Sequence, residues 1–529
     1  MLISFNRVTY SLLVLLGVGS VAMSLLNFAL ADSAFTQSDV FRTRLIYTTS
    51  SSCSQLILSS GGHILYQPKL VTMQGTPAAG DPTFDWDKQL IQVNPTAPGS
   101  TIKVQADLVL SNLNPNIPLI FKGVKCGDGQ TTFEFYNYNG SSPETTAFTT
   151  LTQTTNGNMT FSSLASHGFT MGGPPTNSRV ETRHVIAFYH WYDFHSWSDP
   201  QMIDSPVITY TNITADSTAR LRHIQQASQA NIDTFAMVWG GHSGINPYTD
   251  VQFGTMLDEM VNSGTGIKGA ALLEDNLDNF GTQAKLVSEL QYFLNTYSNK
   301  PAYLKHNGNP VIFIYNPTNF PKENGQTSAQ AWKAIIKQVN IPAVWIAGLL
   351  QYDDNEWWDT FDGVICYGCY VTKIVGNPIE RTTQLTADRA RSYNLLDDLT
   401  ASRKLFVGDA MPGFDETHLN RPDNSRKMER ANGDTYRTSF DLVFNAPADW
   451  LSITSFNEWW ENTHIEPGKR YGNTYLDLTQ ELATKFKTTP TPIPTGAVPT
   501  ATNTYSTSTP IATATSAFNH FVYLPVIIK

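Results

Sequence analysis

Residues 184–241 contain HVIAFYHWY (184–192), ADSTARLRHIQQASQAN (215–231) and IDTFAMVWGG (232–241). The first and last are continuous apolar runs of strand length, rich in aromatic and β-branched residues. Between them the apolar positions return at helical spacing. A strand that is apolar at every position is covered on both faces, the condition of a parallel sheet clothed by helices. The segment therefore predicts a β-α-β unit.

The unit recurs towards the C-terminus. Strand-like runs follow at IKGAALLED (267–275), NPVIFIYNP (309–317), PAVWIAGLL (342–350), FDGVICYGC (361–369), KLFVGDAMPG (404–413) and WLSITSFNEWW (450–460). Helical spacing returns in 282–298, 328–339 and TADRARSYNLLDDLT (386–400). Eight strands, most followed by helices, across 181–487 predict a (β/α)8 TIM barrel, with a doubly wound sheet as the alternative. Thr474–Phe486 is expected to close it as a helix, with Leu476, Leu478, Leu482 and Phe486 inward.

The flanks differ in composition. Residues 42–178 alternate short β-type runs with Gly, Pro, Asn and Ser, which predicts an all-β sandwich: a carbohydrate-binding module or a spacer. Within it Cys53 and Cys126 are expected to form a disulfide. Cys366 and Cys369 form a C-x-x-C with no partner set for zinc, so ordinary buried cysteines or a local bridge are expected there. Arg7 followed by an uncharged run ending Ala29-Leu30-Ala31 predicts a signal peptide, residues 1–31, and a secreted or cell-surface protein. Residues 488–517 carry no charge, and Thr, Ser and Pro fill 19 of these 30 positions, which predicts a disordered linker. The last segment, 518–529, reads as a sorting or attachment tag, or else as a strand docking elsewhere.

Across 529 residues the net charge is −10, and only 15% of residues are charged. Binding a phosphate backbone needs clustered Lys and Arg, so a nucleic-acid partner is not expected. A content of 12% aromatic residues suits a neutral, hydroxyl-rich ligand whose apolar faces stack on rings. Neither a cofactor nor a metal is called for.

TIM barrels place their active sites at the C-terminal ends of the strands. Those ends supply Tyr189, Trp191, Tyr192, Trp239, Glu274, Asp275, Tyr315, Tyr367, Asp409, Asn457, Glu458, Trp459, Trp460 and Glu461, with His464 close behind. Carboxylates among aromatics fit sugar stacking and acid–base work at a glycosidic bond. In SITSFNEWWENTHIEP (452–467), Glu458 and Glu461 stand three residues apart, so one turn after the last strand can aim both into the barrel. Solvated acids capping a helix are the bland alternative.

FNEWWENTHIEP resembles the FNEW-x-E-G-T-x-I-E-P signature of glycoside hydrolase family 99, the endo-α-mannosidases and endo-α-mannanases. AFYHWYDF (187–194), Trp239, GNPVIFIY (308–315), FDGVICY (361–367) and PGFD (412–415) are weaker matches, and the resemblance spans residues 184–487. It implies a retaining, endo-acting hydrolase of α-mannosides or related α-linked glycans, in which the substrate's own 2-hydroxyl is the nucleophile. Glu458 would take the proton of that hydroxyl, and Glu461 would protonate the leaving oxygen and later activate water. Tyr315 would assist, and Trp191, Trp239 and Trp459 would form sugar platforms. In an α-mannoside the 2-hydroxyl and leaving group are anti, which permits backside attack. The chain departs from the family at Trp460 and Asn462, where His and Gly are usual, and at LLEDN (272–276), where H-I-E-P-Y is common; altered sugar subsites are expected there. The alternatives are a silent glycan-binding surface protein and a polysaccharide-assembly transferase domain. A signal peptide and the lack of a Gly-rich phosphate loop count against the transferase.

Overall fold

In a computed structural model the described residues run from Asp39 to Thr488, leaving out 60–62, 86–87, 98, 113–117, 140–141, 162–181, 192–196, 244–246, 275–279, 324, 349–354, 366–385, 388–389, 391–403, 420–425 and 447. The expected signal peptide, the linker beyond Thr488 and the terminal segment lie outside them. So do Tyr192, Tyr367, the Cys366/Cys369 pair and nearly all of the helix expected at 386–400.

The N-terminal part is two antiparallel sheets. One is ordered Thr149–Gln153, Thr131–Asn139, Asp39–Thr49, Ile102–Asn112, His63–Gln74; the other is ordered Gly157–Thr160, Phe121–Cys126, Cys53–Leu58, Leu90–Gln92, Thr83–Asp85. Alternate residues from both, among them Tyr47, Leu56, Leu65, Phe121, Phe133 and Phe135, meet in one buried cluster, as the faces of a sandwich do. Cys53 and Cys126 are bonded, with Cα atoms 5.2 Å apart. The bridge joins neighbouring strands of one sheet, where the two residues pair directly.

The C-terminal part is a closed parallel barrel of eight strands: β1 His184–Tyr189, β2 Thr234–Val238, β3 Lys268–Leu273, β4 Asn309–Ile314, β5 Val344–Gly348, β6 Gly363–Ile365, β7 Leu405–Ala410 and β8 Trp450–Ile453. Each pairs with the next, and β8 pairs back with β1. Helices α1 Ser217–Gln229, α2 Tyr248–Ser263, α3 Gln283–Tyr297, α4 Ser328–Val339, α5 Asn355–Thr360, α6 Asp434–Asn445 and α7 Thr474–Thr488 come from the connecting segments. Their ends follow from the sequence. Asp216 caps α1 by accepting from the Ala219 N–H, Thr327 and Gln330 make a reciprocal capping box on α4, and Gly264 and Asn340 end α2 and α4 in the left-handed conformation that these residues tolerate.

Strand parity sorts the core. Ile186, Phe188, Ala236, Leu272, Phe313 and Val407 form one cluster inside the barrel. The intervening Val185, Ala187, Tyr189, Phe235, Met237 and Ala271 join a second cluster with the helices. This alternation, with both sets buried, is why the runs read as apolar throughout. Helix α7 buries Leu476, Leu478, Leu482 and Phe486 as expected; Phe486 lies edge-on to Phe440, and Tyr436 of α6 bonds Thr479 at 2.9 Å.

Candidate active site

The segment after β8 folds back tightly on itself. The Ser455 N–H donates to the Thr463 carbonyl, Ile465 returns a bond to Ser455, and the Ser455 hydroxyl accepts the Glu458 N–H at 2.7 Å. Asn462 turns the chain with φ of 52°, the left-handed region that glycine enters without strain and asparagine tolerates.

Within this turn Glu458 has both oxygens occupied. Oε1 accepts the Trp460 N–H at 3.0 Å, and Oε2 lies 3.3 Å from Nδ1 of His190. The same Nδ1 is 3.5 Å from Oε2 of Glu274, at the end of β3. Glu458 and Glu274 keep 15% and 21% of their side-chain surface exposed, enough to meet a ligand. Burial alone would lower the His190 pKa, but the charges of Glu274, Glu458 and Glu461 outweigh it and hold the imidazole above its ordinary value. Two acids from two strand ends, Glu274 and Glu458, therefore flank one imidazole at the C-terminal end of the barrel. Tyr315 and Trp460 are half-buried as well. Among the described residues no group of three or more His, Cys, Asp or Glu is arranged to hold a metal ion.

Several residues expected to touch a sugar do not face the site. Tyr189 is fully buried, with its hydroxyl 3.0 Å from His223 Nδ1. Trp239 is fully buried and donates its indole N–H to Asp250 at 2.9 Å. Both share the outward parity of their strands, towards the helices. Trp191 is almost buried, its indole N–H held by the Val238 carbonyl at 2.8 Å. Trp459 stacks on His464 at 3.8 Å between ring centroids and donates to Glu466 at 3.2 Å, so both rings lie beneath the site. Burial and the Arg430 charge push the His464 pKa down to about 4, despite Asp204 nearby. Asn457 is also buried, its amide engaged with the backbone of His190. Asp409 lies inside the barrel, where burial raises its pKa to about 8 against hydrogen bonds from Ser452 and Thr454.

His190 was the residue missed. Parity would have found it: 186 and 188 point inward, so 190 does too, whereas 189 and 191 do not.

A sequence profile of glycosyl hydrolase family 99 matches residues 207–488, more than half the chain. The chain belongs to that family. Among curated relatives it is 22% identical over 293 residues to the glycoprotein endo-alpha-1,2-mannosidase of Mus musculus, covering 50% of this chain and 60% of that protein. It is 41% identical to a glycoprotein endo-alpha-1,2-mannosidase-like protein of Danio rerio over 76 residues, 14% of this chain and 17% of the relative. The chain thus spans less than two thirds of the length of these relatives. Among solved structures, the family 99 endo-alpha-mannosidase of Bacteroides thetaiotaomicron aligns with a TM-score of 0.45 at 21% identity, over 57% of this chain and 97% of that one.

Proposed function

We propose that the protein is an exported, retaining glycoside hydrolase that cleaves α-mannosides or closely related α-linked glycans within a chain. Glu458 serves as the base for the substrate's 2-hydroxyl and Glu461 as the acid at the leaving oxygen. The observation that carries this reading is the pairing of Glu274 and Glu458, from two strand ends, with His190 at the end where barrel enzymes work. A base for a hydroxyl needs an ionised, fixed, accessible carboxylate, and Glu458 has one oxygen held by the Trp460 N–H and partial exposure. Membership of family 99, and relatives named endo-alpha-1,2-mannosidases, support the mannoside as the substrate class.

The test is hydrolysis of a panel of α-mannans and α-glucans, with the anomer of the first product followed by NMR. Retention with α-mannosides is the expected result, and Glu458→Gln should lower kcat by about a hundredfold or more, since general base catalysis of this kind contributes roughly 10²–10⁴. Inversion, or an active Glu458→Gln enzyme, would overturn the assignment.

A further inference from the structure

His190 has no part in the two-acid scheme above, yet it occupies the point where the negative charges of the barrel mouth meet. Its Nδ1 touches Glu274 and Glu458, from the ends of β3 and β8, while Glu461 acts on it at longer range. Its chain neighbours Tyr189 and Trp191 carry no charge and turn towards the helices. We propose that His190 is a positioning residue that, by pairing through Nδ1 with Glu458 and Glu274 together, holds Glu458 aimed as the base. The inference rests on the reading of Glu458 given under Proposed function.

Carboxylates crowded into one site repel, and the usual relief is for one of them to keep a proton. A proton held by Glu458 would disable it as a base. A ring set between Glu458 and Glu274 opposes that repulsion and fixes where both carboxylates point. No bond to His190 forms or breaks in turnover. The imidazole locates its neighbours, while its own backbone is fixed by Asn457. Replacing the ring should therefore leave the fold intact, which a melting temperature near that of the wild type will verify.

One readout is independent of activity: the pH titration of the His190 imidazole by NMR in the full chain, assigned by loss of its signal in His190→Gln. It should titrate above the ordinary value of about 6.5 and fall by about one unit or more in both Glu458→Gln and Glu274→Gln, as loss of a nearby opposite charge requires. The second readout is catalytic. The alkaline fall of kcat/KM should be displaced in His190→Gln, which should also lose about a hundredfold or more in kcat/KM, the limb that remains belonging to the proton donor. Titration at or below the ordinary value, or a His190→Gln enzyme with an unchanged pH profile, overturns the inference. If no α-mannoside is cleaved while the titration behaves as stated, the proposed substrate fails and the charge clamp stands.

Discussion

The side-chain amide of Asn457 pairs with both backbone groups of His190, its Oδ1 accepting from the N–H at 2.8 Å and its Nδ2 donating to the carbonyl at 2.9 Å. This reciprocal pair extends the β1–β8 seam, where the first and last strands of the barrel meet, past the point at which their own ladder stops at Ala187 and Ile453. It ties the turn bearing Glu458 to the residue that faces Glu458.

Asn457→Leu should destabilise the barrel by about 2–4 kcal/mol, because it strands a buried backbone donor and acceptor together. Urea unfolding of the full chain would measure this, and a change below the error of extrapolation would mean that the pair is dispensable. Activity should fall along with stability, since the His190 backbone loses its anchor.

Asp409→Asn should raise the melting temperature at neutral pH. The folded pKa of Asp409 is raised to about 8 from an ordinary value of 3.8, so its favourable contribution is fully present below pH 4 and is lost as the pH climbs through 8. The amide keeps an acceptor for Ser452 and Thr454 without a charge to bury. Melting curves of the two proteins from pH 4 to pH 9 should diverge upward in pH, with the variant the more stable.

Acid should act in the opposite direction on two histidines. His464 and His184 have folded pKa values lowered to about 4, so their contribution is complete above about pH 6.5 and drains away as the pH falls through 4. A shift of this size is worth on the order of 3 kcal/mol for fully buried His464, and less for His184, which keeps some exposure. His464→Gln should be less stable than the wild type at pH 7 but lose less on acidification to pH 4.5, as read by guanidinium unfolding at both pH values.

Removing the disulfide by Cys53→Ser with Cys126→Ser should weaken the sandwich by about 4 kcal/mol, the chain-entropy value for a loop of this length. The sequence separation is 73 residues, so the unfolded chain gains considerable freedom. Calorimetry with and without reductant would show the same loss in the wild type, and none in the double variant.

The barrel was legible because its strands are apolar on both parities and the segments between them return apolar residues at helical spacing. The acids of FNEWWEN were legible because two Glu beside two Trp at a strand end is a costly arrangement with few structural uses. What escaped was orientation. Tyr189 and Trp239 look like sugar platforms in a linear string, but their parity sends them to the helices, while His190 looks unremarkable between two aromatics. The burial of Trp459 and His464 could not be read from spacing, because the turn holding them depends on Ser455, Thr463 and a left-handed Asn462.

The turn from 457 to 466 interleaves two jobs residue by residue. Asn457, Trp459, His464 and Glu466 are buried struts, whereas Glu458, Trp460 and Glu461 are only half-buried. A mutagenesis library that randomised the whole stretch would therefore recover mostly collapsed proteins and be misread as evidence that the site tolerates nothing. Diversity confined to Trp460, at a position where the chain already departs from its family, offers the direct route to changed glycan preference without rebuilding the support beneath.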